Sequence, residues 1–106
     1  MTDSDRLHRS AMGYVSEANH LRACGESEEN VQSAKAKALR LEKLAALYLD
    51  DGLEPKRSEL FQNAAPLAVE CGDYEDAKKL VAEGLKGNPP EKIAKKLRNV
   101  LIKVGV

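Results

Sequence analysis

The chain has 106 residues, enough for one compact domain with a buried core and short for two. Seventeen basic and seventeen acidic side chains balance, and no apolar run approaches the ~18 residues of a membrane span. Ala and Leu dominate the apolar set, the aromatics are only Phe61, Tyr14, Tyr48 and Tyr74, and Trp is absent. Strands favour β-branched and aromatic residues, so this composition argues for helices whose small side chains let their axes approach closely.

The balanced charge is unevenly spread. Residues 86–106 hold Lys86, Lys92, Lys95, Lys96, Arg98 and Lys103 against Glu91 alone, a net +5 on a mildly acidic body. Such a tail can attract an acidic partner or nucleic acid, but it is more often the solvated face of a terminal helix. The polar start MTDSDRLHRS does not read as a signal peptide, and two cysteines without one suggest reduced thiols in a cytoplasmic protein.

Hydrophobic periodicity predicts five helices. In the first, Leu7, Ala11, Tyr14, Ala18 and Leu21 follow one another by four and three residues, which is one helix face. Thr2 and Asp5 stand at capping-box spacing before it, and Gly25 is its expected stop. The second is expected from about Glu28 to Asp51, with Val31, Ala34, Ala38, Leu41, Ala45 and Tyr48 as its inner stripe and Leu44 and Leu49 widening it. Ser27 can cap its start and Gly52 is its expected end.

Pro55 suits the first turn of a third helix, whose Leu60, Phe61, Ala64, Ala65, Leu67, Ala68 and Cys71 are apolar on two faces, as in a helix packed between neighbours. Pro66 falls inside it and should kink it or split it in two, because its ring removes a backbone hydrogen bond. Asp73 caps a short fourth helix with an expected inner face of Tyr74, Ala77, Val81, Gly84 and Leu85, closed by Gly87. The turn Asn88-Pro89-Pro90-Glu91 opens a fifth helix, with Ile93, Ala94, Leu97, Val100, Leu101 and Val104 on one side and lysines on the other. Connections this short make consecutive helices antiparallel.

Offsetting the chain by 47 residues sets Tyr14, Ala18, Leu21, Cys24, Gly25 and Glu26 on Phe61, Ala65, Ala68, Cys71, Gly72 and Asp73, a degenerate internal repeat. The second copy, Ser58 to Glu91, resembles the tetratricopeptide repeat. Phe61 stands at that family's large aromatic position and Ala65 at its small helix-crossing position. The run Gly72-Asp73-Tyr74-Glu75-Asp76-Ala77 matches its turn and second-helix start, and Pro89 its closing proline. Ala64, Ala68 and Gly84 depart from the pattern, as does the long second helix of the first copy. The resemblance implies an all-α, five-helix antiparallel stack in a single domain, residues 1–106: hairpins at about 4–51 and 55–87, and a capping helix at about 90–104.

By the same resemblance the first helix of each pair lines a groove, so Glu59, Gln62, Asn63, Pro66, Val69 and Glu70 are the expected partner-binding residues, with the Asn63 amide placed to hold a peptide backbone or carboxylate. No cofactor is expected. His20 and Cys24 stand four apart on one helix face, but two ligands do not complete a zinc site, and no Cys-x-x-Cys or second histidine pair adds to them. A Cys24–Cys71 disulfide is not expected, because repeat equivalents lie about 10 Å apart, beyond the ~7 Å that a disulfide allows between Cα atoms. There is no phosphate loop, zincin pair or nucleophile elbow, so catalysis is not expected.

The function expected is a non-catalytic adaptor or scaffold gripping a protein or peptide. The alternative is an accessory or antitoxin-like regulator that sets its basic C-terminal helix against an acidic partner or nucleic acid. The lysines of that helix are not interleaved with aromatics, which weighs against nucleic acid. Self-association through the long second helix is a third possibility.

Overall fold

The computed structural model describes residues 2–49 and 53–105. It contains α1 (Asp3–Ala23), α2 (Glu28–Leu47), α3 (Lys56–Glu70), α4 (Tyr74–Lys86) and α5 (Glu91–Lys103), and no strand among the described residues. The protein is all-α.

The helix ends follow from local chemistry. Thr2 Oγ1 accepts from the Asp5 amide while the Asp5 carboxylate accepts from the Thr2 amide, a complete capping box that satisfies two orphan donors. Ser27 and Asp73 cap α2 and α4 through the amides of Asn30 and Asp76. After α1 and α3 the chain reverses through Gly25 and Gly72, at φ 78° and 76°, where a side chain would be strained. The sequence repeat is thus a repeat of turn geometry.

Inter-helix contacts fix the directions. Ser4 Oγ donates to the Ala45 carbonyl at 2.9 Å and His8 meets Glu42, so the start of α1 lies on the end of α2. Lys35 reaches Glu70 at 3.6 Å, which sets α2 antiparallel to α3. Arg57 donates to the Glu83 carbonyl at 3.0 Å, which does the same for α3 and α4. Asp5 pairs with Lys56, and Met12 and Val15 adjoin Asn63, Pro66 and Leu67, so α1 and α3 run parallel. Glu59 adjoins Lys92 and Pro66 adjoins Asn99 and Lys103, so α5 also runs parallel to α3. The result is a slab of 41 × 37 × 20 Å, its thickness about two helix diameters, with α1, α3 and α5 exposing one broad face.

Phe61 is the largest fully buried side chain, and Leu60, Leu67, Leu80, Val81, Ile93, Leu97 and Val100 surround it with a bed of alanines. The small residues permit close approach. A Cβ on Gly84 would stand 2.9 Å from both Phe61 Cβ and Leu97 Cδ1, so α4 meets α3 and α5 where no side chain fits. That accounts for the one glycine in the interior of α4. A smaller cluster of Ala18, Val31 and Ala34, with Leu21 beside it, joins the far ends of α1 and α2.

Five expectations are corrected. The inner face of α2 is Val31, Ala34, Lys35, Ala38, Leu39, Glu42, Ala45 and Ala46, rotated from the expected stripe, while Leu44 and Tyr48 are exposed. Two charged residues take inner positions because each finds a partner on a neighbouring helix. The helix also ends earlier: α2 stops at Leu47 with Tyr48 as its cap, and Asp51 and Gly52 lie outside the described residues. Tyr74 is exposed, and Leu80 takes the inner place instead. Pro55 stands one position before α3, and Pro66 neither splits nor ends α3, which is a single helix from Lys56 to Glu70.

Candidate binding face of α1, α3 and α5

The exposed side of α3 forms the floor of a shallow depression made of three adjoining hollows. The largest, about 470 Å³, is bounded by Pro55, Glu59, Gln62, Asn63, Pro90, Lys92, Ile93 and Lys96. A second, about 290 Å³, lies between α1 and α3 over Met12, Val15, Gln62, Asn63, Pro66, Leu67 and Glu70. A third, about 280 Å³, lies between α3 and α5 over Gln62, Pro66, Lys96, Asn99, Val100 and Lys103. Gln62 borders all three. Polar and apolar side chains share the lining about equally, unlike the enclosed, mostly apolar pocket of a drug-sized ligand.

Five of the six residues singled out from the sequence therefore share one surface: Glu59, Gln62, Asn63, Pro66 and Glu70. Val69 is not among them; it is half-buried against the core. Glu70 is engaged by Lys35, whose ammonium reaches it from α2.

Sequence reasoning treated the lysines of α5 as a separate feature. In the structure Lys92, Lys96 and Lys103 border the same depression, with Asn99 between them. Their spacing by four and seven residues shows in the sequence that they share a helix face. That this face turns toward Gln62 and Pro66 follows only from the parallel packing of α5 on α3. Among the described residues, Lys92, Lys96 and Lys103 form no ion pair within 4.0 Å, whereas Arg98 is held by Glu91 at 2.6 Å. The α5 side of the depression is a positive edge, with Glu59 across the hollow from Lys92.

Pro66 shapes the floor. It has no N–H, so the Gln62 carbonyl one turn earlier lacks its helical donor. Both residues border the hollows on either side of α3, so the missing bond lies on the open side of the helix and not in the core.

A polar pair that sequence reasoning missed lies on the other side of α1. The Glu42 side chain is fully buried, and both its oxygens lie within 3.0 Å of His8 Nδ1. Burial pushes the Glu42 carboxyl up, and the bond from His8 opposes that rise. The pair fixes the register of α1 on α2. Among the described residues no cluster of three or more His, Cys, Asp or Glu could hold a metal ion. No family model, curated protein or solved structure matches this chain.

Proposed function

We propose that this chain is a non-catalytic binding module of the tetratricopeptide type, which holds an extended acidic segment of a partner protein along the α1–α3–α5 face. One observation carries the reading: Lys92, Lys96 and Lys103, which form no ion pair among the described residues, border the same depression as Gln62, Asn63 and Pro66. An extended peptide presents backbone amides and carbonyls that the Gln62 and Asn63 amides can hold, while the lysines attract its carboxylates. The parallel run of α1, α3 and α5 on one face supports the repeat assignment. Two free thiols agree with a cytoplasmic location.

The test is capture from native lysate with three baits: the wild-type chain, Gln62→Ala/Asn63→Ala, and Lys96→Glu/Lys103→Glu. The proposal expects proteins with acidic segments that both variants lose. Capture unchanged by both variants rejects the groove. Capture of nucleic acid that falls steeply with salt favours the alternative, a regulator acting through the basic helix.

A further inference from the structure

The end of α1 presents a pair of metal-ligating side chains that the binding face does not use. His20 and Cys24 are both exposed, and Cys24 Sγ lies 3.5 Å from His20 Nε2. A zinc ion at ~2.3 Å from sulfur and ~2.05 Å from nitrogen, with a tetrahedral angle, sets those two donors about 3.6 Å apart. The pair therefore already spans one edge of a tetrahedral site.

The backbone holds it there. The Cys24 amide donates to the His20 carbonyl at 3.0 Å, and the chain turns immediately afterwards at Gly25. The C-terminal end of α1 carries the negative end of the helix dipole, which favours a cation, and Glu26 and Glu29 follow it, while Glu28 is engaged by Arg22 at 3.4 Å. The repeat equivalent has neither property. Cys71 is half-buried with its thiol pushed up by that burial, and Leu67 stands where His20 would be.

We propose that the His20–Cys24 pair binds a zinc-type divalent cation together with the same pair of a second copy of this chain. One chain supplies two ligands; two chains supply two thiolates and two imidazoles, the Cys₂His₂ set of a closed tetrahedral zinc site. Each thiol releases its proton to solvent as its sulfur binds, so the ion's charge is matched by two thiolates. His20 binds through the neutral Nε2 lone pair. Exposure of both residues leaves the fold independent of the metal.

The test uses the full chain under a phosphine reductant, with cobalt(II) as a spectroscopic probe and zinc(II) for mass. Expected are a thiolate-to-cobalt charge-transfer band saturating at one ion per two chains, and a doubling of the light-scattering mass of 11.6 kDa when zinc is added, reversed by chelator. His20→Ala and Cys24→Ser should remove both signals, and Cys71→Ser should keep both. Any of four results overturns the proposal: no band, a band that survives Cys24→Ser, one ion per chain with unchanged mass, or a dimer that persists in chelator. Melting curves of the variants without metal should superimpose on wild type, which separates loss of ligands from loss of fold.

Discussion

His8 Nδ1 on α1 stands 2.8 and 3.0 Å from the two carboxylate oxygens of Glu42 on α2, with Glu42 fully buried and His8 partly open to solvent. Breaking a buried pair by removing one member leaves an uncompensated charge, whereas replacing it with apolar residues is often neutral. His8→Ala should therefore destabilise by about 3 kcal/mol near neutral pH, and His8→Ala/Glu42→Leu should recover most of that loss. The pH dependence has a definite sign. Without His8 the raised Glu42 carboxyl rises further, so the folded state binds a proton that the unfolded state has released. The loss is then largest at neutral pH and shrinks as pH falls towards the ordinary value of 4.5. Denaturant midpoints across pH check this; a double variant no better than the single one would contradict it.

Gly84→Ala tests the close approach of α4 to α3 and α5. Helix propensity alone predicts a gain of about 1 kcal/mol for this change. The added Cβ would stand 2.9 Å from Phe61 Cβ and Leu97 Cδ1, and overpacking of this kind costs about 1–3 kcal/mol. Net destabilisation is expected. In the same scaffold Phe61→Ala should cost about 3 kcal/mol or more, since it empties the centre of the core. Thermal melts of either variant that superimpose on wild type would refute the packing described.

Asp5 gives an acid-side prediction. Its bonds to Lys56 and then to Thr2 hold its carboxyl down at about 2, against an ordinary 3.8. A depressed acid contributes stability above its unfolded value and loses it as pH falls through the folded one. The difference in urea midpoint between wild type and Asp5→Asn should be present above pH 3.8 and fade towards pH 2. Because Asp5 is partly open to solvent, the difference should also shrink with added salt. A difference independent of pH would assign the effect to something other than this carboxylate.

Pro66→Ala restores the hydrogen bond to the Gln62 carbonyl in a helix that is already continuous. It should raise stability by about 1–2 kcal/mol, a part of the ~3 kcal/mol that an uncompensated interior proline costs. Calorimetry measures this; lower stability would show that the proline fits its helix better than an alanine does.

The fold was legible where chemistry is local. Thr2, Ser27 and Asp73 cap the helices they were expected to cap, and the reversals at Gly25 and Gly72 lie where the repeat located them. The inner face of α2 was not legible, because Lys35 and Glu42 read as solvent-facing by type. Their burial depends on Glu70 and His8, each 34 or 35 residues away in sequence. The candidate face was half legible in the same sense: Gln62, Asn63 and Pro66 follow from α3 alone. The inclusion of Lys92, Lys96 and Lys103 required knowing that α5 lies parallel beside α3.

The central claim, an acidic segment held on the α1–α3–α5 face, is tested most directly by titrating the isotopically labelled chain with a short Glu/Asp-rich peptide and following amide shifts by NMR. The account predicts saturable shifts clustered at Met12, Gln62, Asn63, Lys92, Lys96 and Lys103, weakened by salt and lost in Lys96→Glu/Lys103→Glu. Shifts confined to the opposite side of the slab, around Leu44, Leu47 and Tyr74, or no saturable shifts at low salt, would contradict it.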